Sequence, residues 1–311
     1  MAVVIPAFNE EDTIGDVVSS VPRDMAASVN IVVVDDGSRD ETSLKAFEAG
    51  ADYVERLPEN RGLGKAFQAG IDKALNLNAD YIVNIDADGQ FNPQDIPLLL
   101  ETLYNQEADV VVCSRFLDPK LEPSMPSIKK YGNKMFSVLV SWLTGVKLTD
   151  SQCGFRAYTR EAALNINIQS KYTYTQESIL ELVEKGFKIR EVACRVKGER
   201  EGKSRIVDNS LFYGLRSLLI LLRTVRDYHA LKFFGIIGSS IFMAGIAIGL
   251  LIAVRWAATG IVSPYRSLVT VSATFMILGF LIIILASMAD MQNRQRRTIE
   301  KILYQQKKGG D

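Results

Sequence analysis

The chain has 311 residues, and its 36 basic and 36 acidic side chains leave a formal net charge of zero. That balance excludes a binder relying on a general basic excess, so no nucleic-acid partner is expected. The cysteines Cys113, Cys153 and Cys194 lack metal-ligand spacing and read as reduced, buried thiols of a cytosolic domain. Residues 2–6 form an apolar run too short and too uncharged for a signal peptide.

In chain order, residues 3–6 read as an apolar strand ending in Ala7-Phe8-Asn9-Glu10-Glu11, with a helix over 12–21. A β-branched strand over 31–34 ends in Asp35-Asp36-Gly37-Ser38, and a helix follows over 41–49. Residues 53–54 form a short strand before Asn60-Arg61-Gly62-Leu63-Gly64-Lys65, and residues 66–77 are helical. The strand over 81–85 runs into Asp86-Ala87-Asp88; a helix over 94–105 and a strand over 109–113 ending in Ser114-Arg115 complete the pattern. Such alternation predicts an α/β fold with a mostly parallel sheet and helices on both faces. Polar residues fall repeatedly just after a strand's last apolar residue, which places them at the carboxyl edge, where open α/β sheets bind ligands.

Two segments read as basic amphipathic helices. Residues 127–146 carry Lys129, Lys130 and Lys134 beside Phe136, Leu139 and Trp142; residues 211–229 carry Arg216, Arg223 and Arg226 beside Leu215, Leu218 and Leu222. This composition suits a membrane interface or a core helix with a solvated cationic face, with the interface preferred for the second segment. Beyond it, residues 231–254 contain Lys232 as their only charge, and residues 268–288 contain none. Each run meets the ~20 apolar residues needed to span a bilayer. Cations cluster outside the pair (Arg223, Arg226, then Arg294, Arg296, Arg297), so the positive-inside rule puts both long ends in the cytoplasm and the 255–266 link on the far side. The expected organisation is a catalytic domain over 1–208, an interfacial helix over 209–230, a transmembrane hairpin over 231–288 and a basic tail over 289–311, whose residues 307–311 lack regular structure. Gly235, Gly238, Gly245 and Gly249 offer a small-residue surface for a possible homo-oligomer.

Asp86 and Asp88 are two residues apart after a strand, and Gln90 is two further on, so two carboxylates and an amide oxygen converge. Such hard oxygen ligands, together with substrate phosphates, suit Mg²⁺ or Mn²⁺. The Asn60–Lys65 glycine loop is not a Walker motif, because Glu59 stands where its first glycine belongs and Ala66 replaces the Ser/Thr. Its two glycines still permit close backbone approach, and Lys65 can pair with a phosphate.

In order, these motifs resemble the family 2, GT-A glycosyltransferases, in particular the dolichol-phosphate mannose synthase-like branch, over roughly residues 2–208. The resemblance implies nucleotide-sugar contacts from Pro6, Ala7, Phe8, Glu10, Asp35, Asp36, Lys65, Asp86 and Ala87, and metal ligation by Asp86, Asp88 and Gln90. Asp150-Ser151-Gln152-Cys153-Gly154-Phe155-Arg156 is similar to the family's Asp-x-x-x-Gly-Phe-Arg segment, and Gln176-Glu177 and Glu191-Val192 match the helix and strand beyond it. Arg200-Glu201-Gly202-Lys203-Ser204-Arg205 resembles the element whose cations meet the diphosphate and lipid phosphate. It is one residue shorter than the family pattern and ends in Arg205 rather than Lys. Asp88, Arg115, Arg200 and Lys203 are the implied catalytic set, with Arg200 and Arg205 also on the nucleotide sugar. Lys129, Lys130 and Arg205 stand in for the lipid-phosphate contacts.

The activity so implied is inverting transfer of a hexosyl group, mannose first, from a GDP- or UDP-sugar to dolichyl or polyprenyl phosphate. UDP-glucose and UDP-N-acetylhexosamine donors stay open. Less favoured are a non-lipid glycan acceptor and a non-catalytic membrane scaffold. A processive polysaccharide synthase is disfavoured because Ile252 stands at the Gln position of the Gln-x-x-Arg-Trp signature. A phosphate monoester has a second pKa of about 6, so the nucleophile is already ionised at neutral pH and needs no strong base.

Overall fold

The structure is a computed structural model that describes residues 1–105, 108–123, 125, 127–168, 174–196 and 210–309. It divides into two compact units, 1–208 with 306–311, and 209–305.

The first unit is built from β1 (Ala2–Ala7), α1 (Ile14–Ser19), β2 (Asn30–Asp35), α2 (Thr42–Glu48), β3 (Tyr53–Arg56), α3 (Leu63–Asn76) and β4 (Tyr81–Asn84). A 3₁₀ turn at Pro93–Asp95, α4 (Ile96–Tyr104), β5 (Val110–Ser114), α5 (Ser127–Thr144), β6 (Arg156–Thr159), α6 (Arg160–Leu164), α7 (Thr175–Glu184) and β7 (Ile189–Ala193) follow. Among the described residues the strands form one seven-stranded sheet in the order β3-β2-β1-β4-β6-β5-β7. Neighbours pair in parallel except β6, which runs antiparallel to both β4 and β5. The expected mostly parallel α/β architecture is present, with β6 as an addition that the alternation of strand and helix patterns did not reveal.

The central strands are buried on both faces: Val3, Val4, Ile5, Ile31, Val32, Val33 and Val34 are all fully inaccessible. Such unbroken apolar runs are what a parallel sheet covered on both sides requires. Helix α3 packs on β1 and β2 at unusually short range. A methyl group on Gly70 would lie 2.2 Å from a Val4 Cγ atom, so only glycine allows this approach.

Helix α5 has two different faces. Asn133, Phe136, Ser137 and Val140 are buried, whereas Tyr131, Met135, Val138 and Trp142 recur at helical spacing and stand exposed, Trp142 at 73%.

The second unit comprises most of α8 (Ser210–Thr259) and α9 (Arg266–Gly309). Helix α8 runs unbroken through the segment read as a separate interfacial helix and the first apolar run; no proline interrupts it. Helix α9 continues to Gly309, so residues 307–309, expected without regular structure, are helical. Phe234–Thr259 and Arg266–Gln292 are long and apolar enough to cross a membrane. Large apolar side chains along both, including Leu251, Val254, Ile277 and Leu285, are exposed.

The two apolar segments meet through small residues. A methyl on Gly279 would lie 2.5 Å from the Phe242 amide nitrogen, and one on Gly238 would lie 2.9 Å from the Gly279 carbonyl. Ser272 Oγ donates to the Gly245 carbonyl at 2.7 Å. Gly238, Gly245 and Gly249 thus face α9 of the same chain, and Gly235 has only Leu231 of its own helix nearby. Three of the four glycines expected to form a homo-oligomer surface are therefore packed between these two helices.

Candidate active site

Because β1, β2, β4 and β5 point the same way, their carboxyl ends share one edge of the sheet. The antiparallel β6 brings its own start, Arg156, to that edge, with the Asp150–Phe155 segment leading into it. Strand β1 lies between β2 and β4, so the switch point of the sheet lies beside it, where a ligand crevice opens.

On one side of the crevice the loops after β1 and β2 are locked together. The Asn9 N–H donates to Ser38 Oγ at 2.8 Å, the Glu10 N–H to Thr42 Oγ1 at 2.9 Å, and the Arg39 N–H to Asn9 Oδ1 at 2.8 Å. Asp35 is fully buried; it accepts from the Ser38 N–H at 2.8 Å and from the Ser43 hydroxyl, and Arg56 lies 3.7 Å away. Asp36 accepts the Arg61 and Gly62 N–H groups, each at 2.8 Å. Burial raises the Asp36 carboxyl above the ordinary range against the pull of these two donors. Both carboxylates expected to meet a nucleotide are therefore engaged by the protein's own donors and shape the loops around the ligand space. Gly37, at φ +73°, backs directly onto Glu59, with room for no side chain between them.

Lys65, expected on a phosphate, donates from Nζ to the Ile168 carbonyl at 3.2 Å. Pro6 and Ala7 lie inside β1 and are buried, while Phe8 and Glu10 beyond it are half-buried.

On the other side stand Asp86, Ala87 and Asp88. The Ala87 carbonyl accepts from Thr13 Oγ1 at 2.7 Å, and Asp88 Oδ1 accepts the Gln90 N–H at 3.1 Å in a tight turn that uses Gly89 at φ +68°. Asp86 keeps some solvent contact but is packed closely by protein. Its carboxyl is pushed up to about 7, chiefly by burial and next by the neighbouring Asp88 charge, against the opposing charges of Arg115 and Arg156. The charge of Asp88 thus bears on Asp86, two residues before it at the same edge of the sheet.

Behind them lies a polar frame. Arg115 makes a two-point ion pair with Asp150, Nε to Oδ2 at 2.6 Å and Nη2 to Oδ1 at 2.9 Å. Glu191 accepts from the Thr149 N–H at 2.8 Å and the Asp150 N–H at 2.8 Å, holding that segment to β7. Arg156 is fully buried; Nε donates to the Cys153 carbonyl at 2.7 Å, Nη2 to the Ser151 carbonyl at 3.0 Å and Nη1 to the Thr175 carbonyl at 2.7 Å. Lys130, a candidate for the lipid phosphate, forms an ion pair with Glu122. Arg200, Lys203 and Arg205 lie outside the described residues, and so does the side chain of Lys129.

Three residues of this frame carried no sequence signal. Thr13 reads as an ordinary helix-entry residue, Asn84 as part of a strand, and Tyr174 as one aromatic among several. Only contacts across the fold distinguish them: Thr13 donates to the Ala87 carbonyl, and Asn84 Nδ2 donates to the Gly154 carbonyl and to the Tyr174 oxygen, each at 2.8 Å.

Among the described residues no group of three or more His, Cys, Asp or Glu could hold a metal by itself. Asp86, Asp88 and Gln90 supply an incomplete oxygen set of the kind Mg²⁺ and Mn²⁺ share with substrate phosphates. The residues present thus fit a divalent cation carried with a diphosphate.

A wound α/β sheet with acidic side chains at its switch point presents them in the crevice where sheets of this kind bind ligands. Residues 2–166 match the family described as Glycosyl transferase family 2, and the chain belongs to that family. It is 31% identical over 247 residues to the UDP-N-acetylglucosamine–dolichyl-phosphate N-acetylglucosaminyltransferase of Methanococcus voltae, covering 72% of this chain and 97% of that protein. It is 30% identical over 218 residues to the polyprenol monophosphomannose synthase of Mycolicibacterium smegmatis, covering 67% and 82%. Glucosyl-3-phosphoglycerate synthase from Mycobacterium tuberculosis, crystallised with Mn²⁺, UDP and glucosyl-3-phosphoglycerate, superposes with a TM-score of 0.53 at 21% identity, over 72% of this chain and 78% of that one. This likeness concerns the fold alone. The protein is a glycosyltransferase.

Proposed function

We propose that this glycosyltransferase moves a hexosyl group from a nucleotide sugar to a polyprenyl phosphate, with inversion at the anomeric carbon. The observation that carries the proposal is the pairing of Asp86 and Asp88 at the switch point, with the Arg115 charge set against Asp86. A divalent cation held by Asp86, Asp88 and Gln90 would neutralise charge that develops on the departing diphosphate.

The protein's own residues do the rest. The Asn9–Ser38 and Asp36–Gly62 contacts hold the loops that would enclose the nucleotide. An oxygen of the acceptor phosphate, already ionised at neutral pH, attacks the anomeric carbon. The new carbon–oxygen bond forms as the bond to the diphosphate breaks, and the electron pair leaves with the nucleoside diphosphate. No proton need be removed, so the side chains chiefly position the reactants and stabilise charge. Arg200, Lys203 and Arg205 are proposed for the phosphate charges, and Lys129 and Lys130 for the lipid phosphate.

Two features support a lipid acceptor: the relatives named above act on dolichyl phosphate or make a polyprenol product by name, and two helices here have membrane-spanning length. In this proposal residues 1–208 are the cytosolic catalytic domain and the helices cross the membrane as a hairpin. The α5 stripe of Tyr131, Met135, Val138 and Trp142 lies on the lipid surface. Mannose is the first donor sugar to test; N-acetylglucosamine is the second, favoured by the Methanococcus relative. Incubating purified protein with Mn²⁺, polyprenyl phosphate and a panel of labelled GDP- and UDP-sugars tests the proposal. One donor should yield an organic-extractable product, whereas no transfer from any donor would refute it.

A further inference from the structure

Just past β4 the acidic turn leaves the central ladder. The register of β1 with β4 ends at Val4 and Asn84, and the Ile85 N–H donates to the Val4 carbonyl at 3.0 Å. In the turn that follows, the bond from the Gln90 N–H to Asp88 Oδ1 closes the chain on itself and ties it to no neighbouring element. A contact to a neighbour comes from Thr13, at the entry to α1. Its Oγ1 donates to the Ala87 carbonyl at 2.7 Å, across 74 residues of sequence. Ala87 is buried, and a buried carbonyl needs a donor. The same hydroxyl lies 3.4 Å from the Glu10 carbonyl and 3.4 Å from a Glu10 carboxylate oxygen, so its single proton goes to the shorter contact. The turn also lies against the rest of the side chain: a methyl on Gly89 would meet Thr13 Cβ and Cγ2 at 3.9 Å, an ordinary contact distance.

Thr13 is itself firmly held. Its N–H and that of Ile14 donate to the Glu10 carbonyl at 3.1 and 2.9 Å, the Val17 N–H donates to the Thr13 carbonyl at 3.1 Å, and Ile14 and Val18 are buried on α1. A β-branched side chain has few χ1 choices, so the direction of the hydroxyl is set as well. We infer that Thr13 is a positioning residue: its hydroxyl fixes the peptide between Asp86 and Asp88, and so the spacing at which the two carboxylates meet the divalent cation. It also joins that turn to the loop after β1, which carries Phe8 and Glu10 on the proposed nucleotide side. The inference rests on the metal role proposed for Asp86 and Asp88, and residues that hold metal-binding groups in place commonly contribute about 10–100-fold to affinity.

The test measures Mn²⁺ binding by electron paramagnetic resonance on the full chain in detergent, with UDP and with GDP, alongside thermal unfolding. Thr13→Val keeps the shape and removes the hydroxyl, and it is expected to weaken Mn²⁺ binding about tenfold or more. Thr13→Ser keeps the hydroxyl and should stay within about threefold of wild type. Thr13→Ala also removes the donor but lets water reach the carbonyl; it should weaken binding in the same direction, and it carries the test where Thr13→Val does not yield folded protein. Val18→Ala, a cavity in the buried face of the same helix, should lower thermal stability and leave Mn²⁺ affinity within about twofold. Wild-type Mn²⁺ affinity in a folded variant lacking the hydroxyl would overturn the inference, as would equal weakening in Thr13→Ser or Val18→Ala. Wild-type protein that binds no Mn²⁺ with either nucleotide would instead overturn the metal role of Asp86 and Asp88, and the inference with it.

Discussion

Arg115 grips Asp150 through two parallel bonds of 2.6 and 2.9 Å while its charge also bears on Asp86. Asp150 is fully buried and Arg115 only 16% exposed at its side chain, so the pair is well shielded from water. Removing one member of such a pair strands the other charge, at about 3–5 kcal/mol. Asp150→Asn should therefore lower the unfolding temperature by at least about 6 °C in a domain of this size, measured by thermal denaturation in detergent. It should also reduce transfer, because the arginine is then free to swing away from the acidic pair.

Asp88 is expected to act on chemistry rather than folding, since it keeps contact with solvent and its carboxylate accepts from the Gln90 N–H within a local turn. Asp88→Ala should lose about 100-fold or more of the transfer rate, the scale of a few kcal/mol of charge stabilisation, with little change in melting temperature. Chelation should abolish wild-type transfer and added Mn²⁺ restore it, whereas the variant should not respond.

Much of this site follows from local patterns, and the rest from contacts that no local pattern records. The β-branched runs at 31–34 and 81–85 announced buried parallel strands, and the acidic residues following them fell at the predicted edge. Two long apolar runs announced the apolar helices because Lys232, at the start of the first, is the only charge in either. Strand β6 was hidden because it begins with Arg156, a residue type rarely buried unless paired. That guanidinium is inside because the Ser151 and Cys153 carbonyls, folded back from the segment just before it, and the Thr175 carbonyl at the start of α7 converge on it. The role of Asp35 was also opaque, since whether its oxygens are open to a ligand depends on Ser38 and Ser43.

Arg156 offers a sharper test of that frame. Arg156→Leu leaves the Cys153, Ser151 and Thr175 carbonyls without their donor, each at about 1–3 kcal/mol if it stays dry. The variant should unfold at least about 6 °C below wild type. An unchanged melting temperature would mean that the carbonyls find other donors.

Glu191 carries a pH signature. Burial raises its carboxyl above the ordinary value, despite the donors from Thr149 and Asp150. A group raised in the folded state contributes its full stability below the unfolded value of about 4.3, and that contribution is lost as pH rises through the folded value. The stability advantage of wild type over Glu191→Gln should therefore shrink as pH increases from about 4 towards neutrality, read from paired melting curves.

Transfer to a lipid phosphate is the central claim, and a comparison of acceptors tests it most directly. Full-length protein in detergent with Mn²⁺ and the active labelled donor is given either polyprenyl phosphate or the matching polyprenol. An acceptor oxygen ionised without a base requires the phosphate. Label should enter the organic phase with polyprenyl phosphate and remain at background with the alcohol. Equal transfer to both, or transfer only to a water-soluble acceptor, would contradict the account.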